Sequence, residues 1–187
     1  MFKFLDNVLS DEECLKLIEL SEENFTSATI LDKNDDGSYR TAESFWFYED
    51  NFITEKIKNI VSSETNLPIE NQENVHIVKY KINGEYKEHH DFFHPGEYYF
   101  ADEIKKGGQR VYSCLIYLND NFTGGETHFL NKNLNITPKK GTMVIWNNLK
   151  EDGSPDYDTL HAGLPVISGE KYICLVWVRE FKYNLYN

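Results

Sequence analysis

From about residue 74 onward the chain is a succession of short runs rich in β-branched and aromatic residues. They read NVHIVKYKI, RVYSCLIYLN, ETHFL, GTMVIWNN and KYICLVWVRE, with Gly, Asn, Asp and Pro between them. No ten-residue helical pattern interrupts the series. Parallel strands need long crossovers, usually helical, so this spacing predicts an antiparallel sandwich or jelly roll. The aromatic content of 14%, with 12 Tyr and 12 Phe, fits half-buried pleated surfaces.

The first 73 residues have a different texture. In LSDEECLKLIELSEENF (9–25), Ser10 is a predicted N-cap followed by acidic residues. Cys14, Leu15, Leu17, Ile18 and Leu20 then make a stripe at helical spacing. SFWFYE (44–49) predicts a strand, and NFITEKIKNIVSSETN (51–66) a second amphipathic helix led by Asp50. ILDKNDDGSYR (30–40) reads as a polar turn region. The expected fold is mainly β with N-terminal helices. It forms one domain over 1–187, in which 1–73 supports a β core over 74–181.

Charge narrows the partners. A net charge of −12 lacks the basic footprint that holds nucleic acid phosphates, and it disfavours anionic membranes. A neutral or basic peptide is the compatible partner. No apolar stretch approaches the ~20 residues of a transmembrane helix. The N-terminus, MFKFLDNVLSDEEC, does not read as a secretory signal, so the expected compartment is the cytoplasm. Cys14, Cys114 and Cys174 are too far apart for a metal motif and odd in number; buried, reduced thiols are expected.

The chemistry concentrates in HHDFFH (89–94). Alternate residues of a strand share a face, so His89 and Asp91 point together while His90 points away. A His-x-Asp pair plus a distant histidine makes the 2-His-1-carboxylate set of non-haem Fe(II) oxygenases. The pair alone is too common to decide, and His76, His94, His128 and His161 are all candidates for the third position. His161 is set apart by its context, LHAGLPVISGEKYICLVWV, in which Lys171 leads an otherwise apolar strand. Such a lysine either snorkels at an edge or meets an anionic ligand inside the fold. Its same-face neighbours by parity are Ile173, Leu175 and Trp177. On RVYSCLIYLND, Ser113, Leu115 and Tyr117 share a face. Gly124 and Gly125 predict a tight turn rather than a phosphate cradle, since no helix pattern follows.

Several segments, in order, resemble one family. YKINGEYKEHHD (80–91) resembles the Y-x5-Y-x2-H-x-D signature of prolyl 4-hydroxylases among the Fe(II)/2-oxoglutarate dioxygenases. RVYSCLIYLND…GGETHF resembles R-V-x-T-x-L-x-Y-L followed by G-G-E-T-x-F, and PKKGTMVIWNN resembles P-x-x-G-x-x-x-x-F-x-N. LHAGLPVISGEKYICLVWV resembles H-x-x-x-P-V-x-x-G-x-K-x-x-x-x-x-W. FLDNVLSDEECLKLIEL, RTAESFWF and LPIENQENVHIVKY are similar to the family's N-terminal segments, so the likeness spans nearly the whole chain.

The resemblance implies a double-stranded β-helix (jelly roll) core. It also implies peptidyl-proline hydroxylation at C4, coupled to conversion of 2-oxoglutarate and O2 to succinate and CO2, with ascorbate as reductant. By the same resemblance His89, Asp91 and His161 hold Fe(II). Lys171 pairs with the distal carboxylate of 2-oxoglutarate, and Ser113 stands where the family has a threonine hydroxyl on that same group. Tyr80 bonds the co-substrate, and Trp177 lies near the active site or in the core. Arg110 matches the family motif, as a substrate contact or a salt-bridge partner. The loop 92–109, with Gly96, Gly107 and Gly108 as hinges, is expected to cover a proline-containing peptide or protein, with Tyr98 and Tyr99 in contact and His94 in the loop. Lysine at 171, where sensor-type members carry arginine, leans toward the collagen, plant and viral type. The alternatives are an oxygenase acting on another side chain or a free amino acid, and a non-catalytic binding module on the same scaffold.

Overall fold

The computed structural model describes residues 2–31 and 36–185. Residues 32–35 of the expected polar turn lie outside the described residues. The strands are β1 (Phe2–Leu5), β2 (Thr26–Ser27), β3 (Glu43–Trp46), β4 (His76–Tyr80), β5 (Tyr86–His89), β6 (Arg110–Tyr117), β7 (Thr123–Gly124), β8 (Thr127–Phe129), β9 (Leu134–Ile136), β10 (Met143–Asn147), β11 (His161–Gly163), β12 (Val166–Ser168) and β13 (Lys171–Arg179). The helices are α1 (Asp11–Glu22), α2 (Phe52–Thr65) and the short α3 (Phe100–Lys105). Among the described residues, no helix is long and apolar enough to cross a membrane.

Both N-terminal helices start at capping boxes. The Ser10 hydroxyl accepts from the Glu13 N–H while Glu13 Oε2 accepts from the Ser10 N–H at 2.8 Å. The cap of α2 is Asn51 rather than the expected Asp50. Asn51 Oδ1 accepts from Ile53 and Thr54, and Asp50 instead pairs with Lys58 at 2.6 Å. An amide oxygen next to the first turn reaches those N–H groups, which the residue before it cannot.

A seven-stranded sheet runs β1-β10-β6-β13-β4-β3-β2, and a four-stranded sheet runs β5-β11-β8-β9; β7 and β12 form a separate pair. The pairings within both sheets are antiparallel. Strand β13 explains its own unbroken apolar run, because both its faces are covered. On one face Cys174, Val176 and Val178 pack with Cys14 and Leu17 of α1 and Ile53, Ile57 and Val61 of α2. On the other, Ile173, Leu175 and Trp177 join Leu115, Trp146 and Phe129, so the second apolar cluster bridges the two sheets. The three cysteines are buried and free, as expected, and burial pushes each thiol pKa up.

The helix layer is load for the large sheet, not part of the site. Ile57 is fully buried, so Ile57→Ala is expected to destabilise the fold by about 2–5 kcal/mol, read by urea unfolding.

Candidate active site

The two candidate histidine ligands meet through strand pairing. In the small sheet His161 of β11 lies directly opposite His89 of β5, and their rings are 4.2 Å apart between centroids. Asp91 follows two residues beyond His89. One ligand atom from each of His89, Asp91 and His161 lies within 4.8 Å of the others. Each ring is fixed by its remote nitrogen: His89 Nδ1–H donates to the Lys87 carbonyl at 2.7 Å and His161 Nδ1–H to the Thr159 carbonyl at 2.9 Å. That tautomer leaves both Nε2 lone pairs free for a metal. Burial alone would raise the Asp91 pKa, but His161, His89, Arg110 and the Ser113 hydroxyl outweigh it and hold it at about 2. Two imidazole nitrogens and one ionised carboxylate, buried and converging, are a donor set that fits Fe(II).

Ser113 is placed differently from its expected role. Its hydroxyl donates to Asp91 Oδ2 at 2.6 Å and accepts from Asn148 Nδ2 at 2.9 Å. The register explains why: Ser113 pairs with Trp177, whereas Lys171 lies six residues further along β13, on the order of 20 Å of strand. A short side chain there orients the aspartate and does not reach a group held by Lys171.

Two spaces open onto the cluster. A cleft of about 650 Å³ is lined by Arg40, Trp46, His76 and Trp177 and, from the 92–109 segment, by Glu97, Tyr98 and Tyr99. Behind His89 and Asp91 lies an inner cavity whose walls include Tyr80, Leu115, Trp146 and Leu175 and which ends at Lys171. Lys171 is buried, and its ammonium donates to the Gly125 carbonyl at 2.7 Å. The ammonium also lies 5.0 Å over the Tyr80 ring. Burial lowers its pKa to about 7, against a small opposing pull from Glu126. Gly124 and Gly125 both have positive φ, the tight turn expected, and this turn delivers the carbonyl that Lys171 caps. The inner cavity measures about 30 Å³, room for a water or two. The Lys171 ammonium carries three donors, so its bond to Gly125 leaves it capable of meeting an anion in the cavity.

A family model described as the 2OG-Fe(II) oxygenase superfamily matches residues 75–179. The chain is 33% identical to prolyl 4-hydroxylase 5 of Arabidopsis thaliana, over 94% of this chain and 68% of that protein. The chain belongs to the 2OG-Fe(II) oxygenase superfamily and, within it, to the prolyl 4-hydroxylases. It is also 33% identical to the prolyl 4-hydroxylase alpha-1 subunit of Gallus gallus, covering 95% of this chain but only 35% of the subunit. A solved 2OG complex of the viral collagen prolyl hydroxylase from Paramecium bursaria Chlorella virus-1 superimposes with a TM-score of 0.76, at 30% identity and 95% coverage of both chains. Fe(II) and 2-oxoglutarate are the cofactor and co-substrate of this oxygenase family.

Around this oxygenase site the remaining candidates separate. Arg110 makes a bidentate pair with Glu73, Nε to Oε1 at 2.6 Å and Nη2 to Oε2 at 2.8 Å, and lies 3.8 Å over the Trp177 ring. It lines the cleft as well, so the salt-bridge reading holds without removing the residue from the cleft wall. His90 donates from Nε2 to the Tyr157 carbonyl at 3.1 Å and stays outside the cluster. His94 lines the cleft, and His128 pairs with Asn135 at 2.9 Å.

The 92–109 loop is anchored at both ends. Phe92 and Phe93 are buried and hold the loop to the core, and both also line the cleft. The Gln109 side chain accepts from the Phe93 N–H at 2.6 Å and donates to the Phe93 carbonyl at 2.8 Å, closing the loop like a clasp. Between them Tyr98, half exposed, donates its hydroxyl to the Leu31 carbonyl, and Gly96, Gly107 and Gly108 carry positive φ.

Two site residues were not singled out in the sequence, and His76, a candidate third ligand there, stands outside the metal cluster. Arg40 lines both spaces and lies 4.7 Å over the Tyr86 ring, which stacks on His89 at 3.5 Å. His76 is buried against Trp46, with centroids 3.9 Å apart. Tyr86 had a signal as the second tyrosine of Y-x5-Y-x2-H-x-D. Arg40 had none beyond sitting in a segment similar to the family's, and His76 was raised only as a candidate ligand.

Proposed function

We propose that this chain is a prolyl 4-hydroxylase that oxidises peptidyl proline at C4. The single observation that carries the reading is the His89–Asp91–His161 cluster, which stands where an open cleft meets an inner cavity ending in a buried lysine. In this reading His89, Asp91 and His161 hold Fe(II), and Lys171 pairs with the distal carboxylate of 2-oxoglutarate. Tyr80 bonds the same co-substrate from the cavity wall. When bound together, iron, 2-oxoglutarate and O2 would supply the oxidant, one oxygen atom going to succinate as CO2 leaves and the other to proline, with ascorbate as reductant. The protein's own work is placement. It presents three ligands on one side, excludes bulk water behind apolar walls, and leaves the cleft side open to the peptide.

The two facing sheets with a shared apolar interior support the double-stranded β-helix, with residues 74–181 as its core and 1–73 as support within one domain. The cleft suits a peptide. Trp177, Arg110, Tyr98 and Tyr99 line it, and the lining residues Glu88 and Glu97 favour a neutral or basic substrate. Replacing Tyr98 and Tyr99 together by alanine is expected to raise the peptide KM by about tenfold, the scale of losing two aromatic contacts at 0.5–1.5 kcal/mol each, with kcat little changed. An unchanged KM would remove both residues from substrate binding.

The deciding experiment is succinate formation with Fe(II), 2-oxoglutarate and a proline-peptide library, with mass spectrometry of the peptides. Oxygen gained on proline and dependent on both additions supports the reading. Oxygen gained only on lysine peptides or free amino acids gives the site to another side chain. No succinate with any substrate leaves a binding module.

A further inference from the structure

The inner cavity has a polar end that Lys171 does not serve. Trp146 lines this cavity but not the cleft, is almost fully buried, and its indole nitrogen has no hydrogen-bond partner. Strand register puts it beside the metal cluster: Trp146 of β10 pairs with Ser113, the residue that holds Asp91, and its ring lies 5.1 Å from that of His161. Its other ring neighbour, Phe129, offers no acceptor. An indole N–H is a donor only, does not titrate, and ordinarily finds a partner when buried. The acceptor it lacks is one that an occupant of the cavity it lines would supply.

We propose that Trp146 is a co-substrate-binding residue whose indole N–H donates to the carboxylate at the metal end of 2-oxoglutarate, opposite the end taken by Lys171. This rests on the reading above that the inner cavity receives 2-oxoglutarate. A dianion is then held by two unlike donors. Lys171 supplies a titrating charge at one end, and Trp146 supplies a fixed dipole at the other, charge-assisted by the carboxylate it meets. The metal-end contact selects 2-oxo acids whose carboxylate sits beside the keto group, because only these present an acceptor both to the cluster and to the indole.

The chain has three tryptophans, and they divide conveniently. Trp46 lines only the cleft, Trp146 only the inner cavity, and Trp177 both. In 15N-labelled protein loaded with diamagnetic Zn(II), three indole N–H signals are expected, assigned by single Trp→Phe variants. Adding 2-oxoglutarate is expected to move the Trp146 signal downfield and leave that of Trp46 in place. Trp146→Phe is expected to weaken 2-oxoglutarate binding about tenfold by calorimetry, equivalent to about 1.4 kcal/mol, with Zn(II) affinity unchanged. If 2-oxoglutarate binds and the Trp146 signal stays still, the indole has another partner and the inference is overturned, whether or not the variant folds. Equal affinity in a folded Trp146→Phe variant overturns it as well. If the wild type binds no 2-oxoglutarate at all, the functional reading falls first and takes the inference with it.

Discussion

Asp91→Ala is expected to leave a folded protein that no longer retains iron and turns over more than about a hundredfold more slowly. Even partners that only orient a metal ligand are worth 10–100-fold in affinity or activity, and Asp91 is the single carboxylate in the set. Without it, two neutral imidazoles must hold a dication in a buried pocket with nothing to balance the charge. The effect also shows in stability. A metal at a hundred times its dissociation constant stabilises the native state by about 2.7 kcal/mol. For a domain of this size that raises Tm by roughly 5–10 °C. The wild type should show that shift on adding Fe(II) or Mn(II) under anaerobic conditions, and Asp91→Ala should not. A metal-dependent shift persisting in the variant would mean that iron is held elsewhere.

Lys171→Ala is expected to raise the KM for 2-oxoglutarate by about 30- to several-thousand-fold, the range for truncating one partner of a buried charge pair at 2–5 kcal/mol. The pH dependence should be equally diagnostic. Burial lowers the Lys171 pKa to about 7 in the ligand-free protein, and a carboxylate beside it would raise that value. Binding is therefore strongest where the lysine already carries its proton. Affinity should hold below pH 7 and fall by up to tenfold per unit above it, until the raised pKa of the complex is reached. The groups nearest the ammonium are Glu126, Tyr80 and Tyr117. Burial raises both tyrosine pKa values, so neither ionises in this window. Lys171→Met should bind weakly and show a flat profile. A wild-type affinity that does not change between pH 6.5 and 9 would take Lys171 off the co-substrate.

Alternation along the chain sufficed for His89 and Asp91 against His90, because parity is a local property of an extended backbone. It sufficed equally for the inward set Lys171, Ile173, Leu175 and Trp177. Ser113 was assigned to the correct face and the wrong end. Sharing a face says nothing of how far along a neighbouring strand a residue lands, and that is settled by the β6–β13 register. The sequence marks 92–109 as a covering loop, and only the tertiary structure shows that Gln109 clasps the Phe93 backbone and that α3 interrupts the loop.

By itself, then, the sequence did not mark β1, β2 or α3 but determined the two long helices, the main β runs and their antiparallel character, the helix caps to within a residue and the family. Each of these follows from local spacing or from motifs read in order. Tertiary structure alone decided which long-range neighbours share a pocket. It set His161 opposite His89, placed Ser113 and Asn148 behind Asp91, and brought Arg40 and Trp146 from distant parts of the chain to the cavity walls. The physical reason is that such contacts join residues tens of positions apart, and their geometry depends on strand register and sheet packing, which no local pattern encodes.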